Sequence, residues 1–125
     1  MNVPDDLKYT AEHEWIRVEG EVIVVGVTDF AQGELGDVVF IEIETEGEII
    51  SRGDTFGTIE AVKTVSDLYM PVDGEVVEVN PALEDTPELV NSQPFGEGWM
   101  IRIKMSDPAQ LEDLIPAEEY RTLIG

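Results

Sequence analysis

Cysteine is absent from this chain of 125 residues. That excludes disulfides, thiolate nucleophiles and cysteine-based metal sites. Histidine occurs once, at His13, so a metal centre built on several imidazoles has no ligands, and nucleophilic triads have at most one base to draw on. Cations are scarce as well: 7 Lys and Arg stand against 28 Asp and Glu, a net charge of −21. Such a surface repels phosphate, which argues against nucleic acid and anionic membranes as partners and for proteins with basic faces; a plain solvating coat of carboxylates is the other reading of the same composition. No apolar run approaches the ~20 residues of a membrane span. The opening MNVPDDLKY has neither the basic and apolar regions of a signal peptide nor the Arg-rich character of a transit peptide. The expected location is the cytoplasm, or the mitochondrial matrix for a processed eukaryotic form. Gly-rich phosphate loops and dinucleotide fingerprints are missing. Carboxylate pairs occur at every spacing because carboxylates are so abundant, so none stands out as a glycosidase-like pair.

What is present suits one folded domain over residues 1–125, with 42% of residues hydrophobic. Residues 3–10 read as an extended lead-in. Residues 14–18 and 21–28 read as a hairpin turning at Glu19-Gly20, its second arm rich in β-branched Val and Ile. A short helix follows, with Asp29 and Gln32 spaced as a capping box and Gly33 or Gly36 ending it. Strands are expected at 38–43, 56–61, 64–70, 75–79 and 99–104, with a short piece at 48–52. Pro71 to Gly74 is a turn by composition, and residues 80–91, punctuated by Pro81 and Pro87, are loop or short helix. Asp107, Pro108 and Gln110 announce a C-terminal helical segment that restarts at Pro116. Many short strands at roughly ten-residue spacing predict a mainly β barrel or sandwich with short helices. Gly47-Glu48-Ile49-Ile50 and Gly74-Glu75-Val76-Val77 echo one another on either side of the segment containing Lys63.

The lysines are three: Lys8, Lys63 and Lys104. Lys63 lies in Glu60-Ala61-Val62-Lys63-Thr64-Val65-Ser66-Asp67, at the tip of the hairpin predicted for 56–61 and 64–70. Small and β-branched neighbours between two apolar strands hold such a side chain outward. By local pattern alone the commoner case is an ordinary solvated turn lysine.

EAVKTVSDLYMPVDGEVVEVN resembles the lipoyl-attachment segment of the glycine cleavage system H-protein family, whose pattern is close to Glu-Ser-Val-Lys-Ala, then Ser-Asp, then Pro-Val-x-Gly-Glu. Leu7-Lys8-Tyr9-Thr10, His13-Glu14-Trp15, Val25-Gly26-Val27-Thr28, Ala31-Gln32 and Leu35-Gly36-Asp37 resemble its N-terminal half. Pro87-Glu88-Leu89-Val90-Asn91, Gly96-Glu97-Gly98-Trp99 and Glu119-Tyr120 resemble its C-terminal part. The resemblance therefore runs through the whole chain in order. Ala61 stands for the family's usual Ser and Thr64 for its usual Ala, both small, and Ile43-Glu44-Thr45 replaces a Leu-Pro turn.

The resemblance implies a flattened barrel-sandwich hybrid with the modified lysine on a hairpin tip, and a carrier rather than an enzyme. Lipoate would be joined to Lys63 as an amide by a lipoate-attaching enzyme that reads Glu60 and Asp67. Glycine decarboxylase would load an aminomethyl group onto the arm, a folate-dependent aminomethyltransferase unload it, and dihydrolipoamide dehydrogenase reoxidise it. Glu14 and Trp15 would line the groove that receives the loaded arm, with Phe30 and Leu35 of the short helix beside them. The carrier is expected to be monomeric when free. The lysine stem and lipoyl chain reach on the order of a dozen Å by standard bond lengths, and tethering raises the local cofactor concentration once the domain has docked. Other readings remain at this point. H-like lipoyl proteins also serve sulfur oxidation or relay lipoate to other enzymes. Biotin carriers bear a similar Glu-Ala-Met-Lys-Met, although both methionines are missing here. An unmodified acidic scaffold is the third.

Overall fold

The computed structural model describes residues 1–125. Two sheets face each other. The larger has seven strands: β1 (Lys8–Tyr9), β2 (Glu14–Glu19), β3 (Val22–Val27), β5 (Ile49–Ile50), β8 (Gly74–Val79), β9 (Ile101–Met105) and β10 (Ile115–Pro116), ordered β10-β1-β2-β3-β9-β8-β5. The smaller has β4 (Val38–Glu42), β6 (Thr55–Ala61) and β7 (Val65–Tyr69), ordered β4-β6-β7. All pairings are antiparallel. Neither sheet closes on itself, and the mainly β, barrel-sandwich architecture read from the sequence is the one observed.

The apolar run of β3 follows from its place between β2 and β9, where both faces are covered. Ile23, Val25 and Val27 join Ile16, Phe56, Ile59, Leu68 and Ile103 in the core between the sheets. Val24 points the other way, into a second cluster with Leu7, Tyr9, Trp15, Ala117 and Tyr120. The helix α4 (Ala117–Ile124) supplies Tyr120, whose ring stacks on Tyr9 at 4.5 Å and 8°. Gly26 pairs with Trp15 across β2 and β3, and a Cβ there would stand 2.7 Å from the indole. Only glycine lets that ring lie flat against the neighbouring strand.

The two Gly-Glu segments that echo each other in sequence pair with each other in space. Ile49 lies opposite Glu75 and Ile50 opposite Gly74, and Gly47 and Val76 close the pairing through Gly47 N–H to Val76 O at 2.7 Å and Val76 N–H to Glu48 O at 3.0 Å. The lysine hairpin β6–β7 rises between these two related pieces.

Some local expectations shift. The first hairpin turns at Gly20-Glu21, one residue later than read. The helix α1 (Asp29–Leu35) is capped by Thr28, whose Oγ1 accepts from Ala31 N at 3.1 Å; Asp29 lies inside the first turn and accepts from Gln32 Nε2. The helix runs through Gly33 and ends at Gly36. Residues 80–91 yield two single turns, α2 (Ala82–Asp85) and α3 (Leu89–Ser92). The segment begun by Asp107 is a 3-10 helix, Pro108–Asp113, because β10 starts before a longer α-helix can propagate.

Candidate functional site

Ala61 N donates to Thr64 O at 2.8 Å, closing a tight turn that carries Val62 and Lys63 outward. The turn does not stand free. Val62 N donates to Asp37 O at 2.9 Å, tying the hairpin tip to the loop after α1. That loop is clamped in turn by Asn91 from α3. Asn91 Nδ2 donates to Gly36 O at 2.9 Å and to Gln32 Oε1 at 3.0 Å, while its Oδ1 accepts from Val38 N at 2.9 Å. Gly36 has φ of 81°, and a Cβ on it would stand 3.1 Å from Lys63 Cε. The lysine stem thus rests on the one residue that offers it a bare backbone.

A groove of about 170 Å³ opens beside that seat, lined by Val27, Ala31, Leu35, Ile59 and Leu68 with Glu12, His13, Glu14, Glu34, Ser66 and Asp67. Its walls come from residues 12–14 at the start of β2, from Val27 of β3, from α1 and from the lysine hairpin. Glu14 is 3% exposed. Its carboxyl accepts from Tyr69 N at 3.0 Å and from Thr10 Oγ1 at 3.4 Å. Burial pushes its pKa up to about 8, the nearby Glu12 adds to the rise, and the two donated hydrogen bonds offset only part of it. Glu14 also lines a larger cavity of about 570 Å³ on its other side, bounded by Tyr9, Arg52, Tyr69, Met70 and Leu114 among others. The same residue therefore lines both cavities.

His13 precedes it with φ of 67°, a left-handed backbone that bulky residues adopt only when held there. Thr10 O accepts from His13 N at 3.1 Å, His13 O accepts from Thr28 N at 3.0 Å, and Nδ1 meets the Tyr120 hydroxyl at 2.9 Å. Burial lowers the pKa of the imidazole. The unusual backbone turns the chain so that Glu14 enters β2 pointing at the hairpin.

Glu14, Leu35 and Asp67 line one groove, whereas Trp15 faces away from it. Successive strand residues point to opposite faces, so Glu14 and Trp15 cannot both look inward. Trp15 is wholly buried in the second cluster, its Nε1 donating to Pro94 O at 2.8 Å and the Arg17 guanidinium lying 5.3 Å from its ring. Phe30 packs on His13 at 4.7 Å and does not line the groove either. Glu60 lies opposite Phe40 and Val65 on the exposed face of the small sheet, away from the groove. Tyr69, Gly36 and Asn91 act on the site through hydrogen bonds or contacts with residues far off in sequence, which no local spacing announces, whereas Thr10 reaches Glu14 from four residues away.

A groove in which Val27, Ala31, Leu35, Ile59 and Leu68 are mixed with the carboxyls of Glu12, Glu14, Glu34 and Asp67 fits an aliphatic arm with a cationic tip. The lipoyl arm implied by the resemblance has the methylenes for those walls, and the amine of an aminomethyl load would supply the cation.

The family described as glycine cleavage H-protein matches residues 7–125. A glycine cleavage system H protein of Bacteroides fragilis is 59% identical over 125 residues, all of this chain and 99% of the relative. One from Staphylococcus haemolyticus is 53% identical over the same span and shares. The crystal structure of a glycine cleavage system H protein from Mycobacterium marinum superposes with a TM-score of 0.87 at 37% identity, covering 96% of this chain and 97% of that one. With the lysine hairpin, its seat and its groove in place, these matches over the whole length mean that the chain belongs to the glycine cleavage H-protein family.

Proposed function

We propose that this chain is the lipoyl carrier of glycine cleavage, with the cofactor joined to Lys63 as an amide. The observation that carries the reading is the placement of Lys63. It is an exposed amine on a turn tied to the body, its stem on Gly36, beside a groove lined in part by the buried Glu14. The lipoyl group supplies a disulfide that accepts an aminomethyl unit and two electrons, chemistry for which a cysteine-free chain has no side chain of its own. The protein's part is to hold, orient and shelter. The apolar walls take the arm's methylenes, each contributing about 0.8 kcal/mol on burial. Glu14 and Asp67 receive the ammonium end and, with water excluded, slow hydrolysis of the load.

In this role the chain is a carrier and not an enzyme. Its partners are glycine decarboxylase, the folate-dependent aminomethyltransferase, dihydrolipoamide dehydrogenase and the lipoate-attaching enzyme, which reads Glu60 and Asp67. The free protein is a monomer and works in the compartment of those enzymes, the cytoplasm or the mitochondrial matrix. Intact-mass measurement and peptide mapping of protein from a lipoate-competent cell test the reading. The expected result is one lipoyl group on Lys63, none on Lys8 or Lys104, and none at all in Lys63→Arg. A biotinyl mass, or an unmodified Lys63, overturns it.

A further inference from the structure

The small sheet has a second face that the groove does not use. Phe40, Glu60 and Val65 are direct cross-strand partners on β4, β6 and β7. They form one row on the outer side, with Phe40 51% and Val65 62% exposed. Val62, 75% exposed, continues this apolar surface at the turn beside Lys63. Side chains on adjacent strands of one row are within reach of a single docking partner. The next row on that face is Glu42 and Thr58, and Asp67, opposite Thr58 on the edge strand β7, reaches the groove instead. Lys63 is the only cation in β4, β6, β7 or the turn between the last two. Large apolar side chains left on a small edge sheet contribute little to folding, and clustered exposed ones mark surfaces where partners bind.

We propose that this outer row is the docking surface for the enzyme that attaches the lipoyl group, a protein that meets it with apolar side chains flanked by Arg or Lys. The inference rests on the reading of Lys63 as the modified lysine. The choice of partner follows from where its chemistry occurs. In attachment, the Nζ lone pair adds to the carbonyl carbon of an activated lipoyl acyl group, a mixed anhydride with a nucleotide phosphate. The C–N bond forms, the C–O bond to phosphate breaks and that oxygen leaves with the electron pair. Nζ releases a proton to solvent. The enzyme must therefore bring its active site within bonding distance of Nζ and cover the residues beside it. Enzymes that act on the sulfurs work about a dozen Å further out. The stem's seat at Gly36 and the groove lie on the inner side, so an enzyme gripping the outer row leaves both clear. Glu60 within the row and Glu42 beyond it supply the carboxylates that basic side chains would meet.

The test uses the unlipoylated full chain, a purified lipoate–protein ligase, lipoate and ATP. Phe40→Thr/Val65→Thr keeps β-forming residues on both strands. Its rate of lipoyl transfer at limiting carrier, followed by intact mass, should fall about tenfold or more, as expected for loss of central apolar contacts, and its affinity for the ligase in a binding assay should fall in parallel. Ile49→Thr, an exposed apolar change on the other sheet, should match wild type. Double-variant carrier driven to full lipoylation by long incubation should be reduced by dihydrolipoamide dehydrogenase within about twofold of wild type. In the wild-type complex with the ligase, Phe40 and Val65 should be protected from hydroxyl-radical labelling, a measurement that needs no variant. Attachment and affinity within twofold of wild type, unprotected Phe40 and Val65, or a parallel loss with the dehydrogenase overturns the inference. A wild-type chain that takes no lipoyl mass overturns the carrier reading instead, and this inference with it.

Discussion

Val62, the residue before Lys63, gives its amide to the carbonyl of Asp37 at 2.9 Å. That single bond joins the tip of a hairpin to the loop that ends α1, and Asn91 holds the loop from the far side. The root of the lysine is thereby fixed to the wall of the groove its arm would enter, while the amine stays in solvent. A carrier needs both properties: a free end that reaches into other active sites, and an anchored end that returns to one place.

Asn91→Ala removes three hydrogen bonds and leaves Val38 N–H and Gly36 O without these partners. Stability should fall by about 1–3 kcal/mol, the cost of leaving buried polar groups unpaired. Amide exchange at Val62 and Val38 should rise more than at Ile23 in the centre of β3. Unchanged exchange at Val62 would show that the clamp does not extend to the hairpin.

Glu14 titrates with its folded pKa pushed up to about 8 by burial. A carboxyl raised on folding binds more protons in the native state than in the unfolded one. Its contribution to stability is therefore fully present below the unfolded value near 4.5 and lost as pH rises through about 8. Chemical denaturation at pH 5 and pH 8 should show the wild type losing on the order of 2–4 kcal/mol more than Glu14→Gln across that interval. Equal pH slopes would mean that Glu14 is ionised in the fold.

The Tyr120 hydroxyl meets His13 Nδ1 at 2.9 Å and Thr28 Oγ1 at 2.8 Å. Tyr120→Phe keeps the stacking on Tyr9 and deletes the bridge. It should cost about 1–2 kcal/mol in denaturant unfolding and free the left-handed turn at His13. A thermal midpoint equal to wild type would show that the bridge carries no weight.

A net charge of −21 should draw basic partner faces and weaken as ions screen it. The apparent affinity of a partner enzyme for the lipoylated carrier should drop at least severalfold between low and physiological ionic strength. A flat profile would assign the carboxylates to solubility alone.

Much of the fold is legible in the chain because its signals are local. The β-branched run at residues 22–27, the tight turn at Lys63 and the paired Gly-Glu segments each announce themselves within a few residues. The groove is less so. His13-Glu14-Trp15 reads as one unit, yet strand alternation sends Glu14 to one face and Trp15 to the other. Which residue looks inward depends on the register against β3 and on the positive φ at His13, neither of which has a signature in composition. Asn91 lies more than fifty residues from the loop it clamps, and such a bond leaves no mark on periodicity. The cap of α1 moved by one residue because Thr and Asp stand side by side and either can cap.

Glu14 lines two cavities rather than one. In the proposed role, an arm lying in the narrower one would cover Glu14 from that side and shield its load from water there. On that reading the larger cavity is the route by which the proton of the buried acid would leave when an ammonium arrives and return when the cargo departs. Proton exchange at this carboxyl, followed by NMR, should run as fast in the loaded carrier as in the empty one, so cargo and proton need not queue for the same exit.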